Sequence, residues 1–439
     1  MSRCSHIATV GLAALLFTLG LAGAGWCFHD GGVGPCEGCH TMHNSQGGQS
    51  VTLNPTAPGQ GNAYLLLSDS PSSVCLNCHE DTLPSSYQVA TTDAALAPGL
   101  PPNMLTPGGD FAWLKKDYSW VEGTTVFTED GDSHGHNITA LDYGYLPDAT
   151  HITSPGGSYP SADLHCTSCH DPHGVYRVRS GGSVATSGPP VAGSGSTSVG
   201  GMPTNPVSGI SSVGTYRLLA GAGYRPASSP SVPAFGWGPP AAMAPQDYNR
   251  SEATTQTRVA YGSGMSGWCS NCHGEFHDDS DSTPRHRFEE DFGGGDEEDQ
   301  YNAYVKTGNL SGSFGNAFLS LVPFETGQGN GISGRNGMAA LAHSDDSNLS
   351  GVSGNDRIVC LTCHRAHASG WRSALRWNND SSLLTYNGAY PGIDNGAPAE
   401  NHMGRTTVEA QKAYYDRPPT VFGANQKPLC EKCHQGGSP

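Results

Sequence analysis

The sequence predicts a fold with few secondary structures, mostly loops and short helices wrapped round something other than an aliphatic core. Three observations point there. Hydrophobic residues fill only 36% of the 439 positions, too few for the apolar interior that a domain of this length usually closes. Sixty glycines and 31 prolines interrupt nearly every segment. Finally, 12 of the 14 cysteines fall into six copies of Cys-X-X-Cys-His, at Cys36–His40, Cys75–His79, Cys166–His170, Cys269–His273, Cys360–His364 and Cys430–His434.

That pattern is the one that attaches haem c. Two thiols three positions apart share one face of a helical turn, so each forms a thioether to one porphyrin edge, and the adjacent histidine meets the iron. A lone Cys-X-X-Cys suits a redox pair or a zinc site equally well. Six copies that all end in histidine specify six covalently attached haems. Cys36, Cys39, Cys75, Cys78, Cys166, Cys169, Cys269, Cys272, Cys360, Cys363, Cys430 and Cys433 are then the thioether donors. His40, His79, His170, His273, His364 and His434 are the proximal iron ligands. The fold class becomes a multihaem c-type cytochrome in which a stack of six haems serves as the core. The disorder that such a composition otherwise suggests is thereby avoided.

In chain order, residues 1–27 read as a secretory signal: Arg3 gives a small positive start, and Ile7 to Ala24 an apolar run ending in small residues. Cleavage after residue 24 fits as well as cleavage after residue 27. Residues 28–439 form a single hexahaem unit, exported and without a membrane span, since no other long apolar run exists. Haem attachment of this kind takes place outside the cytoplasm, which agrees with export. The net charge of −17 disfavours nucleic acid and anionic membrane surfaces. It is compatible with cationic partners or metal ions. Helical turns are expected at the six motifs, with short helices at Asp299–Lys306, Gly315–Leu321 and Val408–Asp416. Gly181–Gly214 reads as an ordered wrap or a surface loop. The acidic stretches at 277–281, 289–299 and 344–346 lack an EF-hand loop and read as solvated faces.

Between consecutive motifs lie 34, 86, 98, 86 and 65 residues, which excludes a short tandem repeat. The flanks nevertheless alternate. The first, third and fifth motifs carry a second histidine three residues on, at His43, His173 and His367. The second and sixth lack it, and the fourth has His277 four residues on. A histidine so placed lies on the proximal side of its own haem and must serve another, so the haems are expected in pairs. Each iron needs a second ligand, and the mature chain has 12 histidines outside the motifs for six irons. His43, His173 and His367 lead, followed by His136, His277 and His343, with His286, His165 and His29 in reserve. His134, His151 and His402 sit in polar contexts and are expected at the surface. Which even-numbered haem takes which histidine stays open.

The stretches CEGCHTMHNS (36–45), TPGGDF (106–111), LHCTSCHDPHG (164–174), YNRSEATTQTRVAYG (248–262), CLTCHRAHASG (360–370) and LCEKCH (429–434) resemble the family of hexahaem outer-surface c-type cytochromes. The likeness spans the mature chain in order, and 248–262 is its most specific part because haem chemistry does not dictate it. Loops at 181–214 and 285–345 match less well. The resemblance implies subunits joined head to tail into an extracellular conductive filament, a nanowire. All irons would be bis-histidine, and His43 would ligate the fifth haem of the next subunit. It also implies electron transfer to extracellular acceptors such as metal oxides or partner cells, and to other cytochromes. His134, His151, His402 and Cys27 depart from the family pattern. Two other functions remain in view. One is a monomeric periplasmic or surface shuttle. The other is a multihaem reductase, which needs an exchangeable iron position, often marked by a lysine-ended motif; all six motifs here end in histidine.

Overall fold

The computed structural model describes residues 36–46, 49–50, 64–80, 87–96, 99–197, 204–277, 286 and 291–434. The signal segment and His29 lie outside the described residues, as does most of the acidic stretch 277–281.

Each of the six motifs lies on a helical turn. These are Cys36–Gly38, Pro71–His79, Cys166–Cys169, Met265–Cys269, Cys360–Cys363 and Leu429–Lys432. The second is the longest because its sequence supplies a start signal. Ser70 accepts a hydrogen bond from the Ser73 N–H, and Pro71 takes the first turn, where its missing N–H costs nothing. Two expected helices are present at shifted bounds, Asp296–Ala303 and Thr407–Ala413. The first opens on four acidic residues that suit the positive end of its dipole, and the second on a Thr406/Glu409 capping box.

The helix expected at Gly315–Leu321 is not formed beyond the Phe314–Asn316 turn. The apolar spacing there is real, but tertiary packing uses it differently. Phe318, Leu321 and Val322 enter an aromatic core, and the Phe318 N–H donates to the Leu349 carbonyl. A ten-residue helix at Ile332–Leu341 was hidden by Gly334 and Gly337, poor helix formers. At Gly334 a Cβ would overlap the Gly329 carbonyl.

Strands are short. Val184–Ala185, Arg177–Val178 and Val213–Gly214 make a three-stranded antiparallel sheet with Arg177–Val178 in the middle, which orders part of the 181–214 wrap. The longest pairing is the Tyr118–Glu122 and Thr125–Glu129 hairpin, with Trp120 stacked on Phe127 across the strands. Its last residue, Glu129, is delivered into the interior. The main apolar cluster is aromatic, with Trp113, Tyr301, Phe318, Trp371, Trp377 and Tyr414 among its members, and Cys363, Cys430 and Cys433 pack against it.

One crossing of loops fixes much of the rest. The segment 366–369 is hydrogen-bonded on both sides, to 108–110 through His367 N–H to Gly108 and Asp110 N–H to Ala368. Its other edge is bonded to 134–136 through His136 N–H to His367 and Ser369 N–H to His134. Such close approach needs Gly109 (φ +101°) and Gly135, where a Cβ would overlap the carbonyls of Ala368 and His367. Gly109→Ala should therefore abolish accumulation of folded, haem-stained protein. Gly388→Ala, at φ +82° with open space around it, should cost only about 1 kcal/mol in a denaturation curve.

Candidate haem sites

The 12 motif cysteines are all free of disulfides, as covalent haem attachment requires. Their neighbours run in sequence order. Burial and then Cys78 push the Cys39 thiol up. A hydrogen bond with Cys166, then burial, raises Cys75. Burial and then Cys272 raise Cys169, and a hydrogen bond with Cys360, then burial, raises Cys269. Burial and then Cys430 lift Cys363 to about 12. Sulfurs alkylated by haem do not titrate, but the proximity that produces these shifts remains. Each link joins one motif to the next, so the attachment points form an unbroken line from first to sixth.

Five motif histidines share one orientation device. Nδ1 donates to a backbone carbonyl: His40 to Tyr64 (2.9 Å), His79 to Tyr87 (2.7 Å), His170 to Arg217 (2.8 Å), His273 to Pro155 (2.8 Å) and His364 to Ser373 (2.7 Å). A carbonyl only accepts, so the proton is on Nδ1 and the Nε2 lone pair would be available to a metal. The sixth motif is anchored by Lys432, whose buried ammonium donates to the carbonyls of Tyr301, Tyr304 and Ala317. This donor set fits haem c: paired thiols outside any disulfide in all six motifs and, in five of them, an imidazole of fixed tautomer beside the pair.

The odd-numbered motifs repeat the device in detail. After the first, Thr41 N–H donates to Leu65 and Leu67 N–H to Cys39; after the third, Asp171 to Leu218 and Ala220 to Cys169; after the fifth, Arg365 to Ala374 and Arg376 to Cys363. Left-handed residues make each clasp: Leu65 (φ +52°), Arg217 and Leu218 (+53°, +57°), Ser373 and Ala374 (+56°, +54°). Left-handed backbone is costly for non-glycine residues and persists where its surroundings hold it. In each case the trailing histidine, His43, His173 or His367, lies two residues beyond the clasped N–H. The second and fourth motifs take their carbonyls from Tyr87 and Pro155 without this clasp. The clasps sit at varying distances from their motifs, so only a recurrent leucine (Leu66, Leu219, Leu375) marks them in sequence.

Four pairs of rings face each other across a gap. Centroids are 6.1 Å apart for His40 and His173, 6.5 Å for His170 and His367, 6.0 Å for His136 and His273, and 5.8 Å for His286 and His434. Two imidazoles bound to opposite sides of one metal, each with its nitrogen about 2 Å from it, have centroids about 6 Å apart. Burial and then the facing ring hold His136 at about 4 and His367 at about 3, so both are neutral near pH 7 and able to ligate. His136 also donates through Nδ1, to Ala366.

The remaining histidines divide by tautomer and position. His43 is exposed. His165 donates through Nδ1 to Thr139, close to Ser72 on the helix that carries His79. His277 ends the Gly274–His277 turn. His343, grouped with the leading candidates by sequence, instead donates through Nε2 to Ala340, and the reserve His286 faces His434. His134, expected at the surface, is fully buried. Its Nδ1 donates to Trp113 (2.8 Å) and its Nε2 meets Glu129 (2.6 Å), so both nitrogens are committed. His151 is exposed, beside Asp148.

No family model matches the chain. Over 97% of its length it is 44% identical to 97% of the C-type cytochrome OmcS of Geobacter sulfurreducens. Its fold matches the cryo-EM structure of OmcS nanowires from that organism, with a TM-score of 0.82 at 44% identity, covering 93% of this chain and 99% of that one. The outer membrane cytochrome S filament of the same organism gives 0.83 at 43% identity with the same coverage.

Ser373→Pro forces φ to about −65° and should withdraw the carbonyl from His364. Electron paramagnetic resonance should then show one low-spin iron fewer, while Ser373→Gly should retain all six.

Proposed function

The chain belongs to the family of the C-type cytochrome OmcS, and on that premise we propose that it is an extracellular electron conduit. Identical copies join head to tail into a filament that hands electrons to acceptors outside the cell. Haem c, bound at the six motifs, supplies a one-electron iron couple. The chain's residues set the spacing, ligation and dryness of those six sites. The observation that carries the reading is the unbroken line of neighbouring cysteines from first motif to sixth, which suits conduction through the subunit rather than chemistry at one pocket. Catalysis is not part of this reading, because every motif supplies a histidine and further histidines are at hand. Export to the outer surface fits the N-terminal segment, and among the described residues no helix is long and apolar enough to cross a membrane.

The facing rings support a ligand assignment. His173 completes the iron of His40, His367 that of His170, His136 that of His273, and His286 that of His434. His79 draws its second ligand from the histidines not used in these pairs, such as His165 or His277. His364 is exposed with Nε2 unused by its carbonyl bond, and His43 is exposed near the other end of the line. A neighbouring copy's His43 joining His364 would both complete that iron and connect subunits. No ligand role is proposed for His343, whose Nε2 is bonded within its own segment.

Two experiments test these statements. A pyridine haemochrome assay on His286→Ala and His343→Ala should count six haems in both. Resonance should show a high-spin iron in His286→Ala alone; the reverse result would overturn the assignment. Electron microscopy of secreted protein should show filaments for the unmodified chain and single subunits for His43→Ala. Single subunits in both would leave the shuttle reading.

A further inference from the structure

We propose that His134, Glu129 and Arg405 form a positioning network that fixes the second ligands of the third and fourth haems relative to each other. The inference rests on the assignment of His367 and His136 as those ligands. Both lie in the loop crossing, on adjacent rungs: the His136 N–H donates to the carbonyl of His367 itself (2.9 Å). Any slip between segments 134–136 and 366–369 moves one ligand against the other, and with it one haem against the next.

Two backbone hydrogen bonds and the His136 side-chain bond to Ala366 are the direct ties between these short segments, and neither segment continues into a sheet. The network ties them from behind. His134 donates through Nδ1 to Trp113 and meets the Glu129 carboxylate through Nε2. The same carboxylate oxygen bonds Arg405. Arg405 then donates through Nε to the carbonyl of Gly370 (2.9 Å), the residue that follows the central segment. Its guanidinium lies over Tyr118 (4.1 Å) and Trp371 (4.8 Å), which leaves it little freedom to turn. All three side chains are buried, at most 4% exposed. The carboxylate therefore bridges two segments of the crossing, the 134–136 edge through His134 and the central segment through Arg405 and Gly370.

Stability alone is a poor reason for such an arrangement. A buried ion pair offers little net stabilisation over well-packed apolar side chains, whereas it does select one geometry among several. His134 has no nitrogen left for an iron, so its place in the sequence two residues before His136 is that of a brace. The hairpin that ends on Glu129 acquires a purpose by the same reasoning: it carries the bridging carboxylate to the crossing.

The test uses the full-length, haem-loaded protein. Glu129→Met and Arg405→Met made together should retain six haems and a melting profile near that of the unmodified chain, because the buried pair is then replaced whole. In resonance spectra they should gain a high-spin ferric signal, and the Soret circular dichroism couplet of neighbouring haems should weaken. Should these variants fail to accumulate, Glu129→Gln keeps the shape and the hydrogen bonds while losing the charge. It should then shift the g-values of two low-spin irons. His136→Ala and His367→Ala are the reference, each converting one iron to high spin; if they do not, the ligand assignment fails and not the brace. Reference variants that behave as stated, beside network variants with unaltered g-values and Soret dichroism, would overturn the proposal.

Discussion

An imidazole that must present one nitrogen to a metal has to be held by the other, and a chain with so little helix has few rigid surfaces to hold it. Here the backbone carbonyl does it. Five motif histidines place their Nδ1 proton on a carbonyl from a remote or looped segment, and His136 does the same. That bond settles the tautomer, aims Nε2 and stops the ring rotating. It also dictates where loops must run, because each must bring a carbonyl to a fixed point. The left-handed residues of the three clasps, the glycines of the crossing and the strained course of the connections all follow from this demand.

The same requirement explains the economy of secondary structure. A helix or strand uses its own carbonyls and has none to spare, whereas a loop can turn one outward toward a ring. Regular elements survive where they serve as platforms: a turn under each thiol pair, a hairpin behind the crossing, and short helices beside the aromatic cluster. That cluster shows that the chain does not leave its interior entirely to cofactors. Tyr and Trp fill the volume that leucine and isoleucine would occupy elsewhere, and they lie against the cysteines of the fifth and sixth motifs.

How far the sequence discloses this depends on range. The thioether and proximal residues are legible because five consecutive positions carry the whole pattern. The alternation of odd and even motifs is legible in His43, His173 and His367, and the clasps show that it reflects a shared backbone device. Which rings His173 and His367 meet is not legible from spacing, since the facing rings lie over a hundred residues apart along the chain. Sequence puts His343 among the leading candidates and His286 in reserve, whereas the structure turns His343 Nε2 toward Ala340 and sets His286 against His434. His134 reads as a surface residue because Glu129, in a hairpin that sequence did not suggest, and Arg405, far downstream, are what make its burial possible. At 315–321 apolar spacing imitated a helix, and at 332–341 glycines concealed one.

The direction in which the facing pairs are arranged bears on how such a molecule comes into being. In the proposed pairing, the iron held by His40 waits for His173, and the iron held by His170 waits for His367, each well downstream. A chain threading outward from its N-terminus would therefore carry half-ligated irons, open to oxygen and to stray thiols, until its last third emerged. Only the fourth and sixth motifs find their partners already upstream, in His136 and His286. Truncation before residue 367 would then harm the third haem as surely as the sixth, and a chaperone that shields the early sites would matter more here than in a single-haem protein.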